Sequence, residues 1–306
     1  MQRSFKDYFI LSLKGMAMGA ADVIPGVSGG TIAFISGIYE ELITSLNNIS
    51  FSLIKTLKTE GYKATWNQLN GNFLLALFAG IGVSVLSLAK GIEWLLHHHP
   101  ILLWAFFFGL VLASIIFIGK QITRWKLSTI LVLIIGAFIA FYITQLPSMS
   151  ANQSSWFLFL AGALAICAMI LPGISGAFIL VLLGAYQPIL SALNTKDIKT
   201  IAIVGCGAII GLLSFSKLLK WLFKNYHNLT LAALTGFILG SLNKIWPWKK
   251  VLSYRTNSKG EQIPFLEQSI SPFSFEGDNQ LVFALLLMVI GFFTIIILEK
   301  LGNKKP

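Results

Sequence analysis

Ten apolar stretches follow one another along the chain, and this succession limits the possible folds more than any other feature. A helix needs about 20 mostly apolar residues to cross the hydrocarbon core of a bilayer. Only 11% of the 306 residues are charged, against about 25% in soluble domains. We therefore expect an all-α integral membrane protein and exclude a soluble enzyme, a disordered chain and a nucleic-acid-binding module. The stretches lie near 5–22, 28–46, 72–96, 100–119, 127–145, 156–171, 175–193, 199–216, 228–245 and 281–299.

Lysine and arginine residues indicate how the chain is threaded, because cytoplasmic loops of membrane proteins are enriched in them. Alternating threading brings five basic groups and both termini to one side, which we assign to the cytoplasm, where these groups would also face anionic lipids. The 246–280 loop then lies outside, and its 249–270 segment has the pattern of a short β-hairpin. Three of the basic groups lie between apolar stretches, and we expect each of the three to form a loop. In chain order, the five groups are Arg3/Lys6, Lys55/Lys58/Lys63, Lys120/Arg124/Lys126, Lys217/Lys220/Lys224 and Lys300/Lys304/Lys305, of which the second, third and fourth are the predicted loops.

An internal repeat divides the chain into two halves, 1–147 and 148–306. Residues 15–46 align without gaps with 162–193 at an offset of 147, and a second block aligns at an offset of 127. Each half crosses the membrane an odd number of times, whether its Pro-Gly hairpin spans the membrane or is re-entrant. The second half must therefore enter from the opposite face. This predicts two inverted repeats in one membrane domain, each a broken hairpin followed by three helices, with a substrate site between them.

Each half carries a Pro-Gly-x-Ser-Gly turn between two apolar stretches. Proline ends the incoming helix, glycine permits a sharp turn, and serine stands where the outgoing helix needs an N-cap. We expect free backbone N–H groups in the two turns to converge on one anion, without any buried lysine or arginine. Close helix packing by small residues is the alternative explanation. The predicted substrate-binding residues are Pro25, Gly26, Ser28, Gly29, Gly30, Thr31, Pro172, Gly173, Ser175, Gly176 and Ala177.

Acidic residues distinguish the first half from the second. Asp22 aligns with Met169, and Glu40 aligns with Gln187. Acids in membrane segments are costly and usually functional. We expect Asp22, and secondarily Glu40, to carry a proton or sodium ion or to shape the anion site. Glu40 at a hydrated helix end is the alternative.

The string AADVIPGVSGGT at 20–31, together with LPGISGAFILVLLGAY in the second half, resembles the polyprenyl-phosphate (undecaprenyl-phosphate) translocases of the PopT type, long described as a domain of unknown function. The resemblance covers essentially the whole chain. It implies a bacterial cytoplasmic-membrane protein that returns undecaprenyl phosphate from the outer to the inner leaflet for cell-envelope synthesis. One position departs from the pattern, since Ala177 stands where the family favours a small polar residue.

Two other functions and a purely structural role are compatible with parts of the sequence. Gly26-Val27-Ser28-Gly29 matches the G-x-S-G string of rhomboid-type intramembrane serine proteases, but that chemistry needs a membrane-embedded base. None of the four histidines lies within an apolar stretch near mid-membrane. A channel or secondary transporter for a small inorganic anion would suit the paired turns equally well. A structural scaffold would leave the paired turns unexplained. We expect no enzyme activity, no metal site and no cofactor beyond a coupling ion.

Overall fold

The structure, a computed structural model, describes residues 3–23, 28–146, 149, 152, 154–256 and 262–302. Helices predominate, joined by one β-hairpin. The first half contains α1 (Phe5–Val23), α2 (Gly29–Ile35), α3 (Tyr39–Asn47), α4 (Phe51–Leu69), α5 (Gly71–His98), α6 (Pro100–Gln121) and α7 (Leu127–Gln145). The second half contains α8 (Ser155–Ile170), α9 (Gly176–Leu182), α10 (Tyr186–Thr195), α11 (Ile198–Ser241), β1 (Lys249–Thr256), β2 (Gln262–Ser269) and α12 (Leu281–Gly302), with short 3-10 turns at Leu242–Ile245 and Pro272–Ser274.

Several helices have the length and composition that a bilayer requires. Of the described helices, four pass this test, within Gly71–Leu88, Pro100–Gln121, Leu127–Gln145 and Ile198–Ile245, and the bent pair α9–α10 makes a fifth if it is one span. Helix α8 and the Leu281–Ile297 part of α12 are apolar but shorter. Large apolar side chains such as Phe138 and Phe283 remain exposed on α7 and α12. Such faces are compatible with a membrane protein.

Two basic segments that we expected to be loops are helical. Residues 51–69 form α4, and the segment carrying Lys217, Lys220 and Lys224 lies inside α11. The breaks in these helices are local, at Gly61 in α4 and at Tyr226 in α11. The prediction was wrong because basic residues indicate on which side of the membrane a segment lies, whereas lysine and leucine are also good helix formers.

Each apolar stretch that follows a Pro-Gly turn is two short helices, where we expected one. The breaks fall at the aligned residues Gly37 and Gly184, whose φ angles are +72° and +67°. Glycine adopts this left-handed conformation without steric cost, so the chain reverses there. The axes of α9 and α10 differ by 108°.

Glycines at aligned positions make aligned contacts between helices. A Cβ atom at Gly80 would clash with the backbone of Ser12, and one at Gly207 with the backbone of Phe159. These contacts pack α5 against α1 and the first part of α11 against α8. Gly109 approaches Met288 in the same way and Gly236 approaches Leu133, which pairs α6 with α12 and the second part of α11 with α7.

The predicted β-hairpin at 249–270 is confirmed. Strands β1 and β2 are antiparallel, with Lys249 opposite Ser269 and Thr256 opposite Gln262. The base of the hairpin is held by Trp248, which is buried and donates its indole N–H to the Asn279 carbonyl oxygen. A small apolar cluster around Trp248, with Ile101 and Ala284, joins the hairpin to α6 and α12.

Candidate functional site

The first turn ends in a capped helix. Ser28 has extended backbone angles, and its Oγ accepts a hydrogen bond from the Gly30 N–H at 3.1 Å, as the N-cap position predicts. Pro25 and Gly26, which we also predicted to bind substrate, lie outside the described residues. The geometry of the first turn therefore rests on Ser28, Gly29 and Thr31.

The N–H groups of the first turn are not free, contrary to our prediction. The Gly29 N–H donates to Oδ1 of Asp22 at 2.7 Å, and the Thr31 N–H donates to the Ser28 carbonyl oxygen at 2.9 Å. A carboxylate at the start of a helix complements the partial positive charge of that end. Asp22 is the penultimate residue of α1, which packs against α2, and its carboxylate therefore reaches Gly29. The protein's own acid thus takes the place that we assigned to an external anion.

The two turns contact one another directly. The Ser28 Oγ lies 3.2 Å from the carbonyl oxygen of Met169 and 3.3 Å from that of Leu171. In return, the Gly173 N–H donates to Oγ1 of Thr31 at 2.9 Å. A Cβ atom at Gly30 would lie 2.6 Å from the Ile170 carbonyl oxygen, so only glycine fits there. We call this meeting of residues 28–31 with 169–173 the turn junction.

The second turn is built differently from the first. Ser175 occupies the N-cap position of α9 with extended backbone angles, but its side chain makes no capping hydrogen bond. Met169 stands where the first turn has Asp22, and it is the apolar side chain of Met169 that lies against Gly176. Pro172 is buried, and Gly173 has φ +91° and lies against Ile238 of α11. The start of α9 is therefore held by packing and not by an acid.

Burial separates the two half-helices further. All seven residues of α2 are buried, whereas none of the seven residues of α9 is. Gly176 is half-buried and Ala177 is exposed, while their counterparts Gly29 and Gly30 are buried. The first turn is consequently enclosed by protein, and the second has its helix start at a surface.

Glu40 does not take part in the turn junction. It lies in the first turn of α3, its side chain is 60% exposed, and its nearest described ionic partner is Nδ1 of His227 at 3.9 Å. The neighbouring Glu41 instead forms a two-pronged pair with Arg3. Of the two acids that we proposed as ion carriers, the structure brings only Asp22 to the turns.

A buried lysine at the start of the β-hairpin was missed in the sequence analysis. Only 9% of the Lys249 side chain is exposed, and its Nζ lies 2.8 Å from the Lys244 carbonyl oxygen and 3.4 Å from Glu267. Burial lowers the pKa of Lys249 to about 8, although the attraction of Glu267 opposes this. Lys244 in turn stacks its ammonium over the ring of Phe178 on α9 at 5.0 Å. The Lys-Lys doublet at 249–250 was the available signal, but only strand register and packing decide which lysine is buried.

Histidines and metals play no described part in the junction. Where the structure describes the chain, no three His, Cys, Asp or Glu side chains are close enough to hold a metal ion. The described partners of the Ser28 Oγ are backbone groups, which is the arrangement of a cap and not of an activated nucleophile.

Comparisons with known proteins agree with the sequence resemblance. The family model described as undecaprenyl phosphate translocase-like matches residues 18–263. A polyprenyl-phosphate transporter of Vibrio cholerae is 49% identical over 302 residues, which cover 97% of this chain and 98% of that protein. A polyprenyl-phosphate transporter of Staphylococcus aureus is 32% identical over 254 residues, which cover 77% of this chain and 85% of that protein. No solved structure matches. The family is one of transporters and not of enzymes, and this chain belongs to it, as a member of the undecaprenyl phosphate translocase-like family.

Proposed function

We propose that this protein moves a polyprenyl monophosphate, undecaprenyl phosphate in the bacterial cytoplasmic membrane, from the outer to the inner leaflet, where the carrier is reused for cell-envelope synthesis. The observation that carries the proposal is the turn junction, in which Ser28 and Thr31 of one half contact residues 169–173 of the other. The transporter names of the relatives from Vibrio cholerae and Staphylococcus aureus support the choice of substrate.

The chemistry of the substrate suits a site of this kind. The charged head of a lipid phosphate cannot cross hydrocarbon without a large desolvation cost, whereas its tail need not leave the bilayer. A polar notch between helices therefore has to accept only the head. In our proposal the phosphate is held by Ser28, Thr31 and Ser175 and by the backbone N–H groups at the starts of α2 and α9, with Pro25, Gly26 and Pro172 shaping the turns.

We further propose that the two halves are inverted repeats with re-entrant hairpins and that both termini face the cytoplasm. The aligned contacts of Gly80 with Ser12 and of Gly207 with Phe159 support the repeat, because residues matched by it have matched neighbours. Rocking of one half against the other would expose the junction to each leaflet in turn.

Asp22 is our candidate for the coupling group. Its carboxylate holds the Gly29 N–H that a phosphate would need, so the two anions compete for one donor. Binding of a proton or a sodium ion to Asp22 weakens this hold and frees the donor for phosphate. Glu40 is retained as a second candidate, at the surface beside His227, where an ion would enter or leave.

The test is the leaflet accessibility of undecaprenyl phosphate in proteoliposomes. We expect the wild type to move the lipid and Thr31→Val to move it about tenfold more slowly, because the substitution removes the acceptor of the Gly173 N–H, a loss of roughly 1–2 kcal/mol. Thr235→Val is the matched control, since Thr235 is equally buried but its hydroxyl bonds only to Leu231 of its own helix.

Retention of the lipid in its original leaflet by the wild type, under both proton and sodium gradients, would contradict the proposed substrate. A flux of chloride or inorganic phosphate in the same vesicles would then support the alternative function, a transporter for small anions.

A further inference from the structure

A cavity of about 260 Å³ lies between α3 and the middle of α11, away from the contacts that form the turn junction. Its wall consists of Glu40, Ile43, Thr44, Lys220, Phe223 and Lys224. The two lysines belong to one of the basic groups that place this face on the predicted cytoplasmic side. The cavity is thus shared between the first and the second half of the chain.

The charges around this cavity are unbalanced. Lys220 and Lys224 bring two positive charges, and Glu40 is the acid of the wall. Glu40 also lies 3.9 Å from Nδ1 of His227, which follows the lysines by about one turn on the same helix. An excess of positive charge in a half-enclosed space favours an anion of matching size, and lysine ammonium groups are common phosphate ligands in proteins.

A buried tyrosine that packs against the cavity wall has a hydroxyl without a described partner. Tyr39 is 2% exposed, and within the described part of the chain its OH makes no hydrogen bond. Its ring packs edge-on against Phe223 of the cavity wall, with centroids 6.0 Å apart. Buried polar groups are nearly always satisfied, so an unpartnered one indicates a water or ligand atom that completes it.

The same tyrosine connects the cavity to the first half-helix. Its ring packs against Phe34 of α2 with centroids 4.8 Å apart, and α2 begins at the turn junction. Ile43 and Phe223 give the cavity an apolar side next to its lysines. Such a combination suits a charged head joined to a hydrocarbon chain better than a free ion.

We propose that this cavity is a second anion site, which holds the phosphate head of a prenyl monophosphate on the predicted cytoplasmic face before release into, or after entry from, that leaflet. The inference rests on the proposed function. Basic pockets between membrane helices on the cytoplasmic side are known to take lipid phosphates, and a cavity of this size accommodates a head group but not a long tail.

The experiment uses a prenyl monophosphate with a photoreactive group next to its phosphate, added to the full-length protein in detergent micelles. After irradiation, mass spectrometry locates the labelled peptides. We expect label on peptides containing residues 40–44 and 220–224. In the double variant Lys220→Gln/Lys224→Gln this label should fall by about tenfold or more, since both cations that hold the phosphate are lost. Lys217→Gln is the matched control, because Lys217 lies on the same helix but not in the cavity wall, and its labelling should equal that of the wild type.

Two competitors separate the possible sources of phosphate. Excess undecaprenyl phosphate should abolish the label, whereas inorganic phosphate at the same concentration should leave it. Equal displacement by inorganic phosphate would overturn the assignment to a lipid.

Other outcomes bear on the cavity and on the transport proposal separately. Label confined to the turn junction, or an equal loss in Lys217→Gln, would overturn the second site and leave the proposed function standing. Absence of label everywhere, together with a wild type that moves no lipid in proteoliposomes, would overturn both. Thermal unfolding of each variant confirms that the exposed lysines were replaced without loss of the fold.

Discussion

The half-helices α2 and α9 start from the same Ser-Gly pair but stand in different surroundings. Helix α2 is wholly buried. The Gly30 N–H donates to the side chain of the N-cap Ser28, and the Gly29 N–H donates to the Asp22 carboxylate. Helix α9 has no buried residue, Ser175 makes no capping bond, and Met169 replaces the acid. One local pattern therefore gives a capped and fully buried helix in one half, and a less buried helix without a capping bond in the other. The difference shows that turns with aligned sequences need not have the same surroundings or the same hydrogen bonds.

This difference also explains why the second turn can carry an alanine where the first turn carries a glycine. Ala177 is the counterpart of Gly30. Gly30 is pressed against the Ile170 carbonyl oxygen and has no room for a Cβ, whereas Ala177 is exposed and carries its methyl group freely. The requirement for glycine thus depends on the neighbour and not on the turn itself.

The largest effect is expected from exchanging these two residues. Gly30→Ala should lower the free energy of unfolding by about 1–3 kcal/mol, because the added methyl group meets backbone that cannot move away. The reciprocal Ala177→Gly should cost only about 0.5–1 kcal/mol of helix propensity. Denaturant unfolding in detergent measures both. Equal losses in the two variants would mean that the starts of α2 and α9 are packed alike.

A smaller effect is expected from removing the charge that distinguishes the first turn. Asp22→Asn keeps an oxygen to accept the Gly29 N–H but carries neither charge nor proton. We expect the transport rate to fall by about tenfold and its dependence on pH to disappear, since the group that would bind the coupling proton or sodium ion is lost. Transport in proteoliposomes across a range of pH measures this. Unchanged transport with an unchanged pH profile would remove Asp22 from the coupling step.

The smallest effect concerns Lys249, the buried lysine at the start of the β-hairpin. Because burial lowers the pKa of Lys249 to about 8 from an ordinary 10.5, the unfolded chain binds this proton more tightly than the folded one between those values. Stability rises with pH wherever the unfolded state binds more protons. The contribution of Lys249 should therefore be constant below about pH 8, increase up to about pH 10.5, and be missing in Lys249→Met.

Unfolding of wild type and variant at several pH values tests this. The control is Lys250→Met, because Lys250 is the next residue along the strand and its side chain is 57% exposed. It should keep the wild-type slope. A slope in Lys249→Met that matches the wild type would assign the effect to another group.

Some parts of the site could be predicted from the sequence because they depend on neighbours along the chain. The cap at Ser28 follows from a serine placed directly before a helical run, and the hairpin follows from alternation around a polar turn. The hydrogen bond between Asp22 and Gly29 could not be predicted, because it depends on how α1 packs against α2. The helical form of the basic segment around Lys220 could not be predicted either, since the same residues are equally suited to a solvated loop.

By itself, the sequence determined the class of protein, its family, the positions of the turns and the aligned pairs of residues. These depend on composition, on the length of apolar runs and on local spacing, which folding does not alter. Only the tertiary structure decided that Asp22 binds the start of α2 and that α2 is buried whereas α9 is not. It also decided that Lys249 is buried and Lys250 exposed, and that Glu40 faces a basic cavity. The physical reason is that burial and hydrogen-bond occupancy are set by contacts between distant parts of the chain, such as that of Ser28 with Met169, 141 residues away.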